Sequence, residues 1–248
     1  VITTIMGKGS IPTTHDLYLG NIGIHGSYAA NHAVSECDVL FSIGTRFNDR
    51  ITGKISEFAK HAKIIHIDAD SASISKNIVV DIPIVADAKL AIEKLLEYVS
   101  PSKAEKWLEQ VTEWKKANPI NMDKYEGLTP EKVIRYINEN IKHPIVATDV
   151  GQNQLWTTQY LELESNHQFL TSGGLGTMGY GFPAAIGAQI GNPDKTVIAI
   201  SGDGGMQMNI QEFATAVALE LPLILIVFNN GYLGNVRQWQ ELFFNKRY

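Results

Sequence analysis

Two short polar stretches interrupt two of the most apolar runs in the chain. "TVIAI" (196–200) stops at Ser201 and is followed by Gly202, Asp203, Gly204 and Gly205. "LPLILIVF" (221–228) stops at Asn229, Asn230, Gly231 and Tyr232. Asp203 and Asn230, 27 positions apart, offer a carboxylate and an amide carbonyl. A hard divalent cation such as Mg2+ takes oxygen ligands of this kind and completes its shell with water and phosphate oxygens. Gly202, Gly204 and Gly205 leave backbone N–H groups uncovered where a helix begins, which favours an anion. Together these residues read as a diphosphate held through a divalent metal. The alternative is a pair of ordinary turns, since Asp-Gly and Asn-Gly are common in hairpins. Neither dipeptide, however, is followed by a return strand.

The elements around the two stretches must bring them together. Both runs are apolar without alternation, as expected for central parallel strands buried on both faces. Between them "MNIQEFATAVALEL" has helical period, which predicts a crossover helix over about 208–220. A strand–helix–strand crossover sets the two strands side by side and parallel. Their carboxyl ends then share the edge of the sheet where ligands of open α/β folds bind.

The same alternation continues upstream. "TPEKVIRYINENI" (129–141) predicts a helix with Thr129 as cap and Pro130 in its first turn. "PIVATDVG" (144–151) reads as a strand ending in Asp and Gly, and "GFPAAIGAQIG" (181–191) as a small-residue helix that must pack closely. Near the N-terminus "VITTIMG" reads as a strand running into a turn. "HGSYAANHAVSEC" (25–37) reads as a helix, and "DVLFSIG" (38–44) and "KIIHID" (63–68) as strands. "DAKLAIEKLLEYV" (87–99) is an amphipathic helix that Asp87 can cap. The fold class is therefore α/β, with two doubly wound, mostly parallel sheets. The expected domains are 1–100, incomplete at its N-terminus, and 129–248, truncated at its C-terminus. A charged helical linker over 101–128, with two prolines, is expected between them.

Bulk properties narrow the partners. A net charge of −5 with no basic block argues against nucleic acid. The run "LPLILIVF" is too short to span a bilayer, and no signal peptide is evident. Cys37 is the single cysteine, which excludes an intrachain disulfide and fits a reducing compartment, cytoplasmic or organellar. His15, His32, His61, His66, His143 and His167 show no metal spacing and read as surface or satisfied core residues. The chain begins without Met and stops inside an amphipathic pattern, so it reads as a piece of a longer protein.

The motifs go further. "GDG" followed by "NN" at this spacing resembles the thiamin-diphosphate motif of the decarboxylase family. "TDVGQNQLW" (148–156), "LTSGGLGTMGYGFPAAIGAQ" (170–189) and "VRQWQ" (236–240) closely resemble the acetolactate synthase (acetohydroxyacid synthase) catalytic subunit. "IGIHG" (22–26), "GTRFNDRITGK" (44–54) and "HIDAD" (66–70) resemble the central, FAD-binding domain of that family.

The resemblance implies roles residue by residue. Asp203, the Asn230 side chain and the backbone carbonyl of Tyr232 would ligate Mg2+. Gly151, Gln152, Asn153, Gly202, Gly204 and Gly205 would line the diphosphate, with Asn153 standing where the family usually has His. Gly176 would accept a hydrogen bond from the aminopyrimidine through its carbonyl, and Met178 would hold thiamin diphosphate bent. Trp239 would shape the pocket for the second substrate. Gly44, Thr45, Arg46, Arg50 and Ile51 would line FAD, with Gly23, Ile24 and His25 opposite and Asp68 and Asp87 nearby. The flavin would do no net redox chemistry. The implied reaction decarboxylates pyruvate and joins the two-carbon unit to a second 2-ketoacid, pyruvate or 2-ketobutyrate, on the way to branched-chain amino acids. The implied assembly is a homodimer or homotetramer, with or without a small regulatory subunit. The family's catalytic glutamate lies in an N-terminal pyrimidine-binding domain without counterpart in these residues, so this chain alone is expected to be inactive. Other readings are a thiamin-diphosphate and FAD enzyme of the pyruvate oxidase or glyoxylate carboligase type, and an inactive cofactor-binding fragment.

Overall fold

A computed structural model describes residues 1–101 and 104–248. They form two compact units: Val1–Thr4 with Leu19–Pro119, and Ile5–Tyr18 with Ile120–Tyr248.

The first unit contains α1 (Tyr28–Glu36), β1 (Val39–Ile43), α2 (Asp49–Thr52), β2 (Lys63–Asp68), β3 (Ile82–Val85), α3 (Ala88–Leu96) and α4 (Glu105–Ala117). Its three strands are parallel in the order β1-β2-β3. Ser27 caps α1 by accepting from Ala30 N, and Asp87 caps α3 by accepting from Leu90 N, each at 3.1 Å. Such caps satisfy amides that a helix start leaves unpaired. The expected strand at 1–7 is a single bridge, Thr3 to Asn21. Backbone bonds from Thr3 N to Gly20 O and from Ile22 N to Thr3 O hold it, and the Asn21 amide adds bonds to the Thr3 hydroxyl and the Thr4 carbonyl.

The second unit contains α5 (Pro130–Asn140), β4 (Ile145–Thr148), α6 (Gln152–Tyr160), β5 (Phe169–Thr171), α7 (Gly181–Gly191), β6 (Val197–Gly202), α8 (Asp203–Met208), α9 (Phe213–Ala218), β7 (Ile224–Phe228) and α10 (Gly234–Phe243). All four strands are parallel, in the order β5-β4-β6-β7. Alternate residues of β4 and β6 feed two cores. Val146, Ile198 and Ile200 join Ile134 and Ile137 of α5 on one face. Ile145, Ala147, Val197 and Ala199 join Phe182, Ala185 and Ile186 of α7 on the other. The alanines let the small-residue helix α7 lie close to the sheet.

Three expectations are corrected here. β6 is buried along its length, but β7 is an edge strand with Ile224 and Val227 exposed. The crossover between them is not one helix over 208–220. It starts at Asp203 and breaks at Asn209, whose backbone is neither helical nor extended (φ −134°, ψ 35°) and whose side chain turns toward Gly179. The compact units also cut across the expected limits. Helix α4, inside the stretch read as a linker, packs Val111 on Ala29, Ala30 and Ala33 of α1. Residues 5–18 join the second unit, where Thr13 and Leu163 exchange hydrogen bonds of 2.9 and 2.8 Å. The linker residues Ser102 and Lys103 lie outside the described residues. Among the described residues no helix is long and apolar enough to cross a membrane.

One buried charge stands against this packing. Lys8 is 3% exposed, lies over the Tyr18 ring, and makes no ion pair among the described residues. Burial pulls its amine down from 10.5 to about 7, and Glu162 opposes this only in part. Between those two values the unfolded chain binds a proton that the folded chain does not, so stability rises with pH across that window. Lys8→Met is therefore expected to stabilise the protein most below about pH 7, with the gain shrinking as pH rises; urea unfolding at about pH 6 and about pH 9.5 measures it. A methyl group on Gly181 would sit 2.4 Å from the Asp149 backbone nitrogen. Gly181→Ala is expected to lower stability by about 1–3 kcal/mol or more, read by thermal unfolding.

Candidate metal and diphosphate site

The carboxyl edge of the second sheet gathers the residues singled out by their chemistry. Gly202 pairs with Phe228 across β6 and β7, so Asp203 and Asn230 leave neighbouring strand ends. Asp203 opens α8 and is half-buried. Among the described residues no hydrogen bond or ion pair engages its carboxylate. No cluster of three His, Cys, Asp or Glu side chains occurs among them either. A cation here would need amide and backbone oxygens beside Asp203.

Asn230 meets that requirement and is itself held. Its Nδ2 donates to Gln152 Oε1 at 3.1 Å, while its Oδ1 accepts from Tyr232 N at 3.1 Å. That turn uses one lone pair of Oδ1 and leaves the other. Gln152, at the start of α6, donates in turn to Gln238 of α10 at 3.4 Å. A Cβ on Gly234 would lie 2.0 Å from Gln152 Oε1, so the first turn of α10 is packed directly on this amide pair. The Tyr232 ring stacks on the Arg237 guanidinium at 3.9 Å, and the same guanidinium lies 4.5 Å from the Tyr248 ring.

Asn153 is 4% exposed and donates to the Val150 carbonyl, while its Oδ1 is buried without a partner. Its Nδ2 approaches the Cβ position of Gly202 at 3.3 Å. Met178 reaches the same region: its Cε lies 3.6 Å, and Leu233 Cδ2 3.0 Å, from the Cβ position of Gly204. Gly151, directly before Gln152, and Gly176, two residues before Met178, both have positive φ. Trp239 is 37% exposed and packs on Phe243 of its own helix.

Two residues that sequence reading passed over hold this edge together. Asp149, the residue after β4, is 1% exposed and accepts from the amides of Val150, Gly179 and Gly181. Asn209 donates to the Gly179 carbonyl at 2.7 Å. An acid at the end of a buried parallel strand was the available signal for Asp149. Asn209 carried none, because its partner lies 30 positions away.

In the first unit the strand register sets Gly44, Asp68 and Asp87 at one sheet edge. The Asp87 carboxylate caps α3, and Asp68 accepts from Asp70 N at 2.8 Å. Thr45 and Arg46 follow Gly44, and the Arg46 carbonyl accepts from Asn77. A second group forms where Ile24 N donates to Arg50 O at 3.0 Å, which brings Gly23, Ile24 and His25 to Arg50 and Ile51. A Cβ on Gly23 would meet that carbonyl at 2.4 Å. The Arg50 guanidinium is largely exposed and pairs with Asp49, a contact worth little by itself. Burial lowers the pKa of His25. His66 departs from expectation: it is fully buried, yet neither ring nitrogen has a hydrogen-bond partner. Burial holds its pKa below the ordinary value, against the opposing pull of Asp68 3.7 Å away.

Comparison with known proteins bears on both units. Residues 149–248 match the family model for the thiamine pyrophosphate enzyme C-terminal TPP binding domain, and residues 1–95 match that for the central domain. Proteins named "Probable acetolactate synthase large subunit" from Methanocaldococcus jannaschii and Methanococcus aeolicus are 48% and 47% identical. The Escherichia coli "Acetolactate synthase isozyme 3 large subunit" is 39% identical. Each alignment covers 100% of this chain, and the chain spans only 44%, 44% and 45% of those relatives. The chain belongs to the thiamine pyrophosphate enzyme family, of which it carries the central domain and the C-terminal TPP binding domain.

Proposed function

We propose that this chain forms the central and cofactor-binding part of an acetolactate synthase large subunit. The enzyme would decarboxylate pyruvate and join the two-carbon unit to a second pyruvate or to 2-ketobutyrate, as part of branched-chain amino acid synthesis. The observation that carries the reading is the convergence of Asp203 and Asn230 at one sheet edge, with Gln152 bridging to Asn230. Thiamin diphosphate, when bound, supplies the nucleophilic carbon and the electron sink. The protein's part is to bind and orient. Asp203 provides the charge for Mg2+, the remaining lone pair of Asn230 Oδ1 and the Tyr232 carbonyl provide neutral oxygens, and water and phosphate complete the shell. The amides of Gly202, Gly204 and Gly205, with Gly151, Gln152 and Asn153, take the diphosphate. Met178 offers an apolar support beside Gly204, and the Gly176 carbonyl accepts from the aminopyrimidine.

Trp239 is assigned to the second-substrate pocket. FAD is assigned to the first unit, between the sheet-edge residues Gly44, Thr45, Arg46, Asp68 and Asp87 and the loop residues Gly23, Ile24, His25, Arg50 and Ile51. The assembly is assigned as a homodimer or homotetramer, with or without a small regulatory subunit, in the cytoplasm or an organelle.

Asp203→Asn is expected to lower the Mg2+-dependent affinity for thiamin diphosphate by roughly 100-fold, with the circular dichroism spectrum unchanged. Isothermal titration measures this, and unchanged affinity in both Asp203→Asn and Asn230→Ala would overturn the metal assignment. The complete protein bearing this sequence is expected to form acetolactate from pyruvate. Peroxide in place of acetolactate would assign it to the flavin oxidases instead.

A further inference from the structure

Asp149, at 1% exposure, is the most deeply buried acidic side chain of the second unit among the described residues, and the hydrogen bonds to its carboxylate there all come from backbone amides. Oδ1 accepts from Val150 N at 2.9 Å and Gly179 N at 3.1 Å, and Oδ2 accepts from Gly181 N at 2.9 Å. A carboxylate buried without such donors would be costly. Two of the donors lie at the entry to α7. Gly181 is the first residue of that helix, and the cap position, Tyr180, brings no side-chain acceptor. Asp149 thus caps α7 from a different strand and places negative charge where the helix start favours it. On its other side α8 presses directly on the carboxylate: a Cβ on Gly205 would fall 2.3 Å from Oδ1.

The consequence reaches Met178. The peptide groups of Gly179 are held at both ends, its N–H by Asp149 and its C=O by Asn209 at 2.7 Å. Met178 precedes this doubly held glycine, and its Cε lies beside Gly204, one residue after Asp203. We propose that Asp149 is a positioning residue that fixes Met178 against the Gly204 turn and so sets the spacing between the cofactor's support and its metal ligand. The inference rests on the thiamin diphosphate reading above for its functional meaning. It demands a carboxylate rather than a shape. In Asp149→Asn one oxygen becomes an NH2 group and must face a backbone N–H, at Gly181 or at Gly179 and Val150, donor against donor.

The test uses this chain with methyl-labelled methionine, the Met178 signal being assigned with Met178→Leu. In the wild type the Met178 methyl is expected to show a through-space contact with the Gly204 α-protons. Asp149→Asn is expected to abolish that contact, and Asn209→Ala, which releases the other end of Gly179 without touching a buried charge, to weaken it. Ile134→Val, in the opposite core of the same unit, lowers stability and is expected to leave the contact intact. Titration with thiamin diphosphate and Mg2+ is expected to show about a tenfold loss of affinity in Asp149→Asn and none in Ile134→Val. If the contact survives in Asp149→Asn, or in Asn209→Ala should Asp149→Asn not fold, the inference is overturned. Equal affinity of wild type and Asp149→Asn overturns it as well, while the functional reading stands. Absence of the contact in the wild type overturns the inference too, whereas loss of the contact in Asp149→Asn alone, in a chain whose wild type never binds thiamin diphosphate, overturns the functional reading and leaves Met178 positioned for another ligand.

Discussion

Parallel pairing of β4, β6 and β7 is the constraint on which the second unit depends. Parallel strands send every carboxyl end to the same edge, and each return must cross a face as a helix. The chemistry therefore collects along one line, where Asp149, Asp203 and Asn230 follow the three strands in turn. The same pairing sets the packing. With both faces covered, β4 and β6 are apolar except at their carboxyl ends, where Thr148 and Ser201 are buried, and the smaller residues Ala147 and Ala199 fall on the face that meets α7. Three demands, on pairing, on close helix approach and on polar ends, are met by one stretch of sequence each.

The first unit uses the same geometry with less coverage. Its three strands also align their carboxyl ends, but β1 exposes Val39, Phe41 and Ile43, and α3 exposes Leu90 and Leu96. The polar groups at that edge are engaged locally: Asp87 with its helix, Asp68 with Asp70, Arg50 with Asp49. His66 is the exception, a buried imidazole whose nitrogens have no partner and whose nearest charge is Asp68. Any ligand that meets Asp68 changes the field that His66 experiences.

Much of this was legible because it is local. The caps of α3 and α5 follow from Asp87 and Thr129, one side chain meeting an amide three positions on. The joint position of Asp203 and Asn230 follows from a single crossover. What escaped depends on distant partners. The apolar pattern of β7 matches that of β6, and nothing in it states that β7 is the outermost strand among the described residues. Helix α4 is charged over most of its surface, so its one buried position, Val111, resembled the stripe of a solvated linker helix. The break at Asn209 and the role of Asp149 both require Gly179, 30 residues distant from each in sequence. Beyond the turn that closes "VITTIMG", the segment up to residue 18 carries no strand or helix pattern and is placed by the bonds of Thr13 to Leu163.

The outer edge of β7 has a consequence for the chain as a material. A flat edge strand leaves a row of unpaired N–H and C=O groups, and natural proteins usually blunt such a row with lysine, proline or a bulge. The strand Ile224–Phe228 has none of these within it, and Val217, Val236 and Leu242 are exposed on the neighbouring helices. A net charge of −5 keeps molecules apart only until they touch. Once they do, the five residues of β7 offer a template for further strands, a route to association that does not require the core to unfold.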